Sequence, residues 1–312
     1  MAEISAKLVK ELRDRTGAGM MECKKALQEA NGDLAEAEVI LRKRGIAAAA
    51  KKASRATKQG LIGSYQSEDG KLAVLVEVNC ESDFVARNED FQAFVGSLAA
   101  HIANNGPYPE GDGAVPHLLS QTFGEEGLTV EQVLANSIAK IGENQAIARL
   151  ARYSAGEAGG TAEGSLGIYI HPGAQLGVVV EVSATKAETA AKTEFQDLLK
   201  DLAMQIAAAD PQFISRDDVD QSTLDKEREI QRDRALAEGK PEKMVDRIVE
   251  GRMSKFYEEI CLLEQPFVKE NSLSIGQLVA QKASSLGDEL QVVRFSRFKV
   301  GDTAPQEETT EE

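Results

Sequence analysis

Residues 77–87 read Glu77-Val78-Asn79-Cys80-Glu81-Ser82-Asp83-Phe84-Val85-Ala86-Arg87, and a copy of the chain around them returns later without their centre. Shifting the sequence on itself by 104 positions aligns residues 60–104 with 164–208 without a gap. The matches fall at structural positions, among them Gly60/Gly164, Gly63/Gly167, Tyr65/Tyr169, Val76/Val180, Glu77/Glu181, Phe91/Phe195, Leu98/Leu202 and Ile102/Ile206. Where the first copy has Ser82-Asp83-Phe84-Val85, the second has Lys186-Ala187-Glu188-Thr189. One architecture accepts either segment, so folding alone does not require Asp-Phe at that bend. The competing structural reading makes Phe84 a core aromatic and Ser82 or Asp83 a plain helix N-cap.

The repeat resumes at another offset. Residues 128–157 align with 273–302 at an offset of 145, matching Gly142/Gly287, Arg149/Arg294, Arg152/Arg297 and Gly156/Gly301, so the second unit carries 145 − 104 = 41 extra residues. Alternation and β-branched content predict a strand hairpin at 61–66 and 72–79, and returning strands at 146–153 and 291–300. The spacing of Phe91, Val95, Leu98 and Ile102 predicts the helix that covers each hairpin. The extra residues are charge-rich with helical spacing over 222–238 and 242–259, separated by Gly239-Lys240-Pro241, a helix stop followed by a helix start. They predict a helical hairpin that is either a solvated protrusion or an arm for self-association or another contact.

The first residues form a separate module. Ile4, Leu8 and Leu12 share one helix face, Thr16-Gly17-Ala18-Gly19 interrupts it, Met20 to Ala30 restarts a helix, and Asp33-Leu34-Ala35-Glu36 opens a third that runs to Leu41. Met20 and Met21 are adjacent and point about 100° apart on a helix, so a thin core takes at most one and the other becomes an exposed apolar anchor. No strand precedes Gly17-Ala18-Gly19, which rules out a dinucleotide fingerprint there. The basic run from Arg42 to Lys58 has no aromatic to stack on bases and reads as a linker. The resulting division is an α+β chain: a three-helix, UBA-like domain at 1–54, a duplicated antiparallel sheet-plus-helix core with its first unit at 55–158 and its second at 159–215 and 258–303, an inserted hairpin at 216–257, and an acidic tail at 304–312.

Composition narrows the function. With 36 Lys and Arg against 51 Asp and Glu, the net charge of −15 repels phosphate backbones, and no direct nucleic-acid partner is expected. No run approaches a membrane span, and the start lacks a signal peptide's charged and apolar regions. Cys23, Cys80 and Cys261 have no CxxC spacing, so neither a disulfide framework nor a zinc site is expected, and a reducing cytoplasm fits. His101, His117 and His171 stand at no metal-ligand spacing, and nucleophile-elbow, phosphate-loop and zinc-protease motifs are missing. The chain reads as a non-enzyme without a cofactor; an adaptor built on the small helical module is the alternative.

The segment Val9 to Leu27, with Arg13, Thr16-Gly17-Ala18-Gly19 and Met20-Met21, and the segment Glu77 to Arg87 resemble the two signature segments of the elongation factor Ts family, in order and spacing. Ser82 departs from the Thr usual there but keeps the capping hydroxyl. The resemblance implies a guanine-nucleotide exchange factor whose partner is elongation factor Tu. It implies that Ser82, Asp83, Phe84 and Val85 disturb the partner's magnesium site, and that Arg13, Met20 and Met21 contribute to partner binding.

Overall fold

The structure, a computed structural model, describes residues 4–109, 111–124, 127–159 and 163–303. The tail at 304–312 lies outside them. Its α+β architecture has two sheets packed face to face, each covered on its outer face by helices. In the first, β1 (Gln59–Gln66), β2 (Leu72–Cys80) and β5 (Gln145–Ser154) run antiparallel in the order β1-β2-β5. In the second, β6 (Ser165–Ile170), β7 (Leu176–Ala184) and β10 (Leu290–Lys299) take the order β10-β7-β6.

The central strands are buried on both faces, which explains why β2 and β7 are near-continuous runs of Val, Leu and Ala. Val74, Val76, Val78 and Cys80 face α5 (Glu89–Asn104) and the first outer core, while Ala73 and Leu75 face the other sheet. Val178, Val180 and Val182 likewise face α8 (Thr193–Ala209), and Val179 joins Ile62, Leu166 and Phe298 between the sheets. The helices press close because the strand beneath each carries a glycine. A Cβ at Gly63 would stand 2.7 Å from Val95 Cγ1, and one at Gly167 would stand 3.0 Å from Leu199 Cβ.

Each unit contributes a buried glutamate between the sheets. Glu77 accepts from Arg149 Nε at 2.7 Å and Glu181 from Arg294 Nε at 2.6 Å. The second oxygen of each takes a backbone N–H from the opposite unit: Gly301 donates to Glu77 at 3.0 Å, and Gly156 donates to Glu181 at 2.7 Å. The guanidinium groups cross over too. Arg149 donates to Lys299 O at 3.1 Å and lies 4.4 Å from the Phe298 ring centre; Arg294 donates to Ser154 O at 3.0 Å and lies 4.0 Å from the Tyr153 ring centre.

Between helix and returning strand the two units differ. The first has α6 (Ala114–Ser120), the ribbon β3 (Thr122–Phe123) and β4 (Leu128–Thr129), and α7 (Val130–Ile141). The second has the hairpin α9 (Gln221–Ala237) and α10 (Glu242–Ile260), the ribbon β8 (Pro266–Phe267) and β9 (Glu270–Ser274), and α11 (Ile275–Leu286). Both α7 and α11 open on capping boxes, Thr129/Gln132 and Ser274/Gln277. The hairpin buries Leu224, Ala235, Val245 and Met253, ties its arms by Arg232–Asp246 and Arg252–Glu238 at 2.7 Å each, and leaves Ile230, Leu236 and Met244 exposed.

At the N-terminus, α1 (Ala6–Thr16), α2 (Met20–Glu29) and α3 (Leu34–Lys52) enclose a small core of Val9, Leu12, Cys23, Ala26, Leu27 and Ala37. The third helix does not stop at Leu41. It runs to Lys52, so most of the basic run read as a linker is helical, and Gly45 there lets α3 lie against α7 beside Asn136 and Ala139. Lysine and arginine are good helix formers, and a packed small-residue face outweighs a charged composition. Among the described residues no helix is long and apolar enough to cross a membrane.

The buried pairs give a direct test. Glu77→Ala strands the Arg149 guanidinium and the Gly301 N–H, and should lower unfolding free energy by about 3–5 kcal/mol in urea titrations; Glu181→Ala should match it. Glu77→Leu combined with Arg149→Met should recover most of the loss. A single-variant cost below about 1 kcal/mol would place these pairs with ordinary surface bridges.

Candidate functional site

The bend after β2 is built to present one aromatic ring to solvent. Ser82 caps the one-turn helix α4 (Asp83–Ala86), its Oγ accepting the Val85 N–H at 3.4 Å, and Asn88 then caps α5 by accepting from Asp90 N and Phe91 N. Two N-caps six residues apart, one on each helix, separate α4 from α5. Val85 and Ala86 face the first outer core, whereas Phe84 is 79% exposed. The core-aromatic reading of Phe84 is therefore excluded. Asp83 is half-exposed and bridges Arg87 at 2.9 Å.

In the second unit residues 185–192 form bends and turns without a helix, and no large apolar side chain projects there. The supporting geometry is nonetheless the same. Gln92 Nε2 donates to Ala86 O at 3.3 Å, and Gln196 Nε2 to Ala190 O at 2.7 Å. Glu143 accepts from Ser82 N and Oγ, while Asp288 accepts from Thr185 N at 3.0 Å and Lys186 N at 3.2 Å. Burial alone would raise the Asp288 carboxyl, but hydrogen bonds led by that of the Thr185 side chain hold it below the usual carboxylate range.

The N-terminal residues singled out in the sequence lie at or near the tip of the helical module. Met20 and Met21 are 56% and 65% exposed, so both are available, not one. Gly19 opens α2 with extended backbone, which turns the first residues of the helix away from the thin core. Arg13 is exposed, and its carbonyl receives the Gly17 N–H at 2.8 Å, closing α1. One side chain runs from this tip to the helix that follows the Asp83–Phe84 bend. A Cβ at Gly17 would stand 3.2 Å from the Lys140 stem, and Lys140 Nζ sits 2.8 Å from Asp90 in the first turn of α5. A groove of about 600 Å³ lies between module and core, lined by Ala18, Gly19, Arg42, Gly45, Leu128 and Lys140 among others.

Sequence reasoning missed Lys140, Arg87 and Glu143. Glu143 had a signal: it follows Gly142 and matches Asp288 after Gly287 at the offset of 145. His101 is half-buried on α5, with Nε2 2.9 Å from Gln121 Oε1 and its ring 5.1 Å from Phe123. No cluster of three or more His, Cys, Asp or Glu suited to a metal occurs among the described residues.

The profile of the family described as Elongation factor TS matches residues 81–302. Over 305 residues the chain is 45% identical to Elongation factor Ts of Clostridium perfringens, covering 98% of this chain and 95% of the relative. The protein of that name from Clostridium kluyveri is 45% identical over 306 residues, with 98% and 95% covered. That of Nitratidesulfovibrio vulgaris is 42% identical over 308 residues, with 99% of each chain covered.

The thiol beside the bend is inert. Burial, reinforced by the charge of Glu143, pushes Cys80 up to about 12; burial with Glu264 takes Cys261 to about 11, and burial raises Cys23. Thiol reagents at pH 8 should therefore label none of the three cysteines in the native protein and all three in denaturant. In the unfolded chain Cys80 ionises near its ordinary value of 9.0 while the folded thiol stays neutral, so this stability is full below that pH and is lost as pH rises toward about 12. Unfolding free energies measured upward from pH 9 should fall less steeply for Cys80→Ala.

Proposed function

The chain belongs to the elongation factor Ts family, and from that premise we propose that it binds elongation factor Tu in its GDP form and promotes GDP release during translation elongation. The observation that carries this reading is Phe84: a solvent-exposed phenylalanine on a serine-capped single helical turn, with Asp83 beside it, where the matching turn of the second unit has neither. An exposed aromatic on a rigid mount is a docking element, since burying it in a partner contributes roughly 1.5–3 kcal/mol and fixing it beforehand lowers the entropy of ordering.

The mechanism needs no covalent chemistry. Magnesium bridges nucleotide phosphates through near-octahedral oxygen ligands, so a small displacement of the elements around it weakens nucleotide binding. Phe84 would hold such a displacement open from the protein side. The Asp83 carboxylate, held in a half-exposed ion pair worth little in water, can leave Arg87 to compete for hydrogen bonds in the magnesium shell. Arg13, Met20 and Met21 would supply a second contact that adds affinity without acting on the nucleotide, Met being suited to an apolar surface that must adapt. Whatever the factor takes from nucleotide affinity, nucleotide takes equally from factor affinity, so incoming GTP expels the factor.

Release of a fluorescent GDP analogue from elongation factor Tu tests this. Asp83→Ala combined with Phe84→Glu installs the second unit's residues while leaving buried Val85 in place, so stability should shift by about 0.5 kcal/mol or less. Stimulated release should fall about 10- to 100-fold, the equivalent of one lost aromatic contact. Undiminished release would remove Asp83 and Phe84 from the mechanism. Met20→Ser with Met21→Ser should weaken partner affinity while leaving the maximal release rate largely intact; a change in rate alone would assign the methionines a different role.

A further inference from the structure

The turn that carries Asp83 and Phe84 is held at its start by a side chain from outside its own element. Glu143 receives the Ser82 amide N–H at 2.9 Å on Oε2 and the Ser82 hydroxyl at 2.7 Å on Oε1. The hydroxyl oxygen in turn accepts from Val85 N, so its proton is committed to Glu143 and its lone pair to α4. A helix of four residues has little of its own to fix its direction, and here the capping hydroxyl is locked by the carboxylate behind it.

Glu143 is itself firmly placed. It follows Gly142, the left-handed C-cap of α7, and precedes Asn144, whose N–H meets Glu81 Oε1 at 2.5 Å and whose Nδ2 donates to Arg55 O at 2.9 Å. The end of α7, the segment that leaves α3 and the start of the bend thus meet at one joint.

The second unit supplies the comparison. Asp288, one methylene shorter, also anchors its bend, but it reaches the side chain of Thr185 and the amides of 185 and 186, and no helical turn forms above it. A carboxylate at this place is enough to hold the bend. Both carboxylates reach the amide of the aligned residue, Ser82 or Lys186; the longer glutamate also takes the hydroxyl there, the one that caps α4.

We propose that Glu143 is a positioning residue for nucleotide exchange: acting through Ser82, it aims Phe84 at the partner without touching the partner's nucleotide site. The proposal rests on the exchange reading above. It separates reach from charge, because Glu143→Asp keeps the anion and the bend, as the second unit does, but withdraws the contact to the cap, whereas Glu143→Gln keeps the reach.

The test measures GDP release from elongation factor Tu over a range of concentrations of the full chain, with thermal unfolding of each variant. For Glu143→Asp the maximal release rate should fall about tenfold, equivalent to about 1.4 kcal/mol, while the half-saturating concentration changes by no more than about twofold. Glu143→Gln should retain most of the rate, and adding Ser82→Ala to Glu143→Asp should cost little more than the worse single change, as expected of two groups acting as one unit. A wild-type rate for Glu143→Asp, a loss that appears only in half-saturation, or a loss that tracks a collapsed melting temperature would each overturn the proposal. Failure of the unaltered chain to stimulate release would instead remove the exchange reading on which it rests.

Discussion

Two carboxylates closed into the space between the sheets govern this architecture. Glu77 and Glu181 are fully buried, and an isolated buried charge is prohibitive unless paired and hydrogen-bonded. Each is satisfied by an arginine from its own unit and an amide from the other, so neither unit can meet its electrostatic requirement alone. An apolar interface such as Leu75 on Val179 would tolerate sliding; a carboxylate that must find one particular N–H does not. The crossed pairs therefore fix the register of one unit on the other, and with it the place of everything mounted on the outer faces.

That frame is nearly symmetric, which makes the asymmetries informative. Both bends leave a central strand, both are tied by a glutamine from the following helix, and both are anchored by an acidic residue after a left-handed glycine. What differs is local: a capping serine, an aspartate and a phenylalanine in the first unit against a lysine, an alanine and a glutamate in the second. The frame thus holds constant the features that folding needs, and the residual difference isolates those that it does not. An exposed phenylalanine contributes almost nothing to the folded state, so the frame itself does not account for Phe84 on this braced turn.

Much of this was legible in the sequence, for identifiable reasons. The repeat, the strands and the hairpin insertion were readable because alternation, helical spacing and glycine and proline punctuation are local signals. The split of the region after Ser82 into α4 and α5 was not, since Ser82 and Asn88 both cap well and only the packing of Val85 and Ala86 shows that both are used. The continuation of α3 through Lys52 was hidden by its charge; the deciding contacts, Gly45 on Ala139 and Lys52 on Ile138 O, are long-range. Both methionines proved exposed because α2 buries Cys23, Ala26 and Leu27, and the helix start lies beyond the core. Periodicity gives the face of a helix but not how far along it the core extends.

The length of α3 bears on how a small three-helix module can serve a core that folds around its own cores. Had the basic run been a loose linker, the methionine tip would have been tethered only by effective concentration. Instead α3 lies along α7, and Lys140 of α7 stands between Gly17 and Asp90. Tip and bend are then separated by packed helices, with less freedom between them than a loose tether would leave. Lys140 is not alone in this: Arg55, in the segment that leaves α3, pairs with Glu81 at 3.4 Å just before the Ser82 cap, so the helical module meets the core both through α7 and through the strand end that feeds the bend.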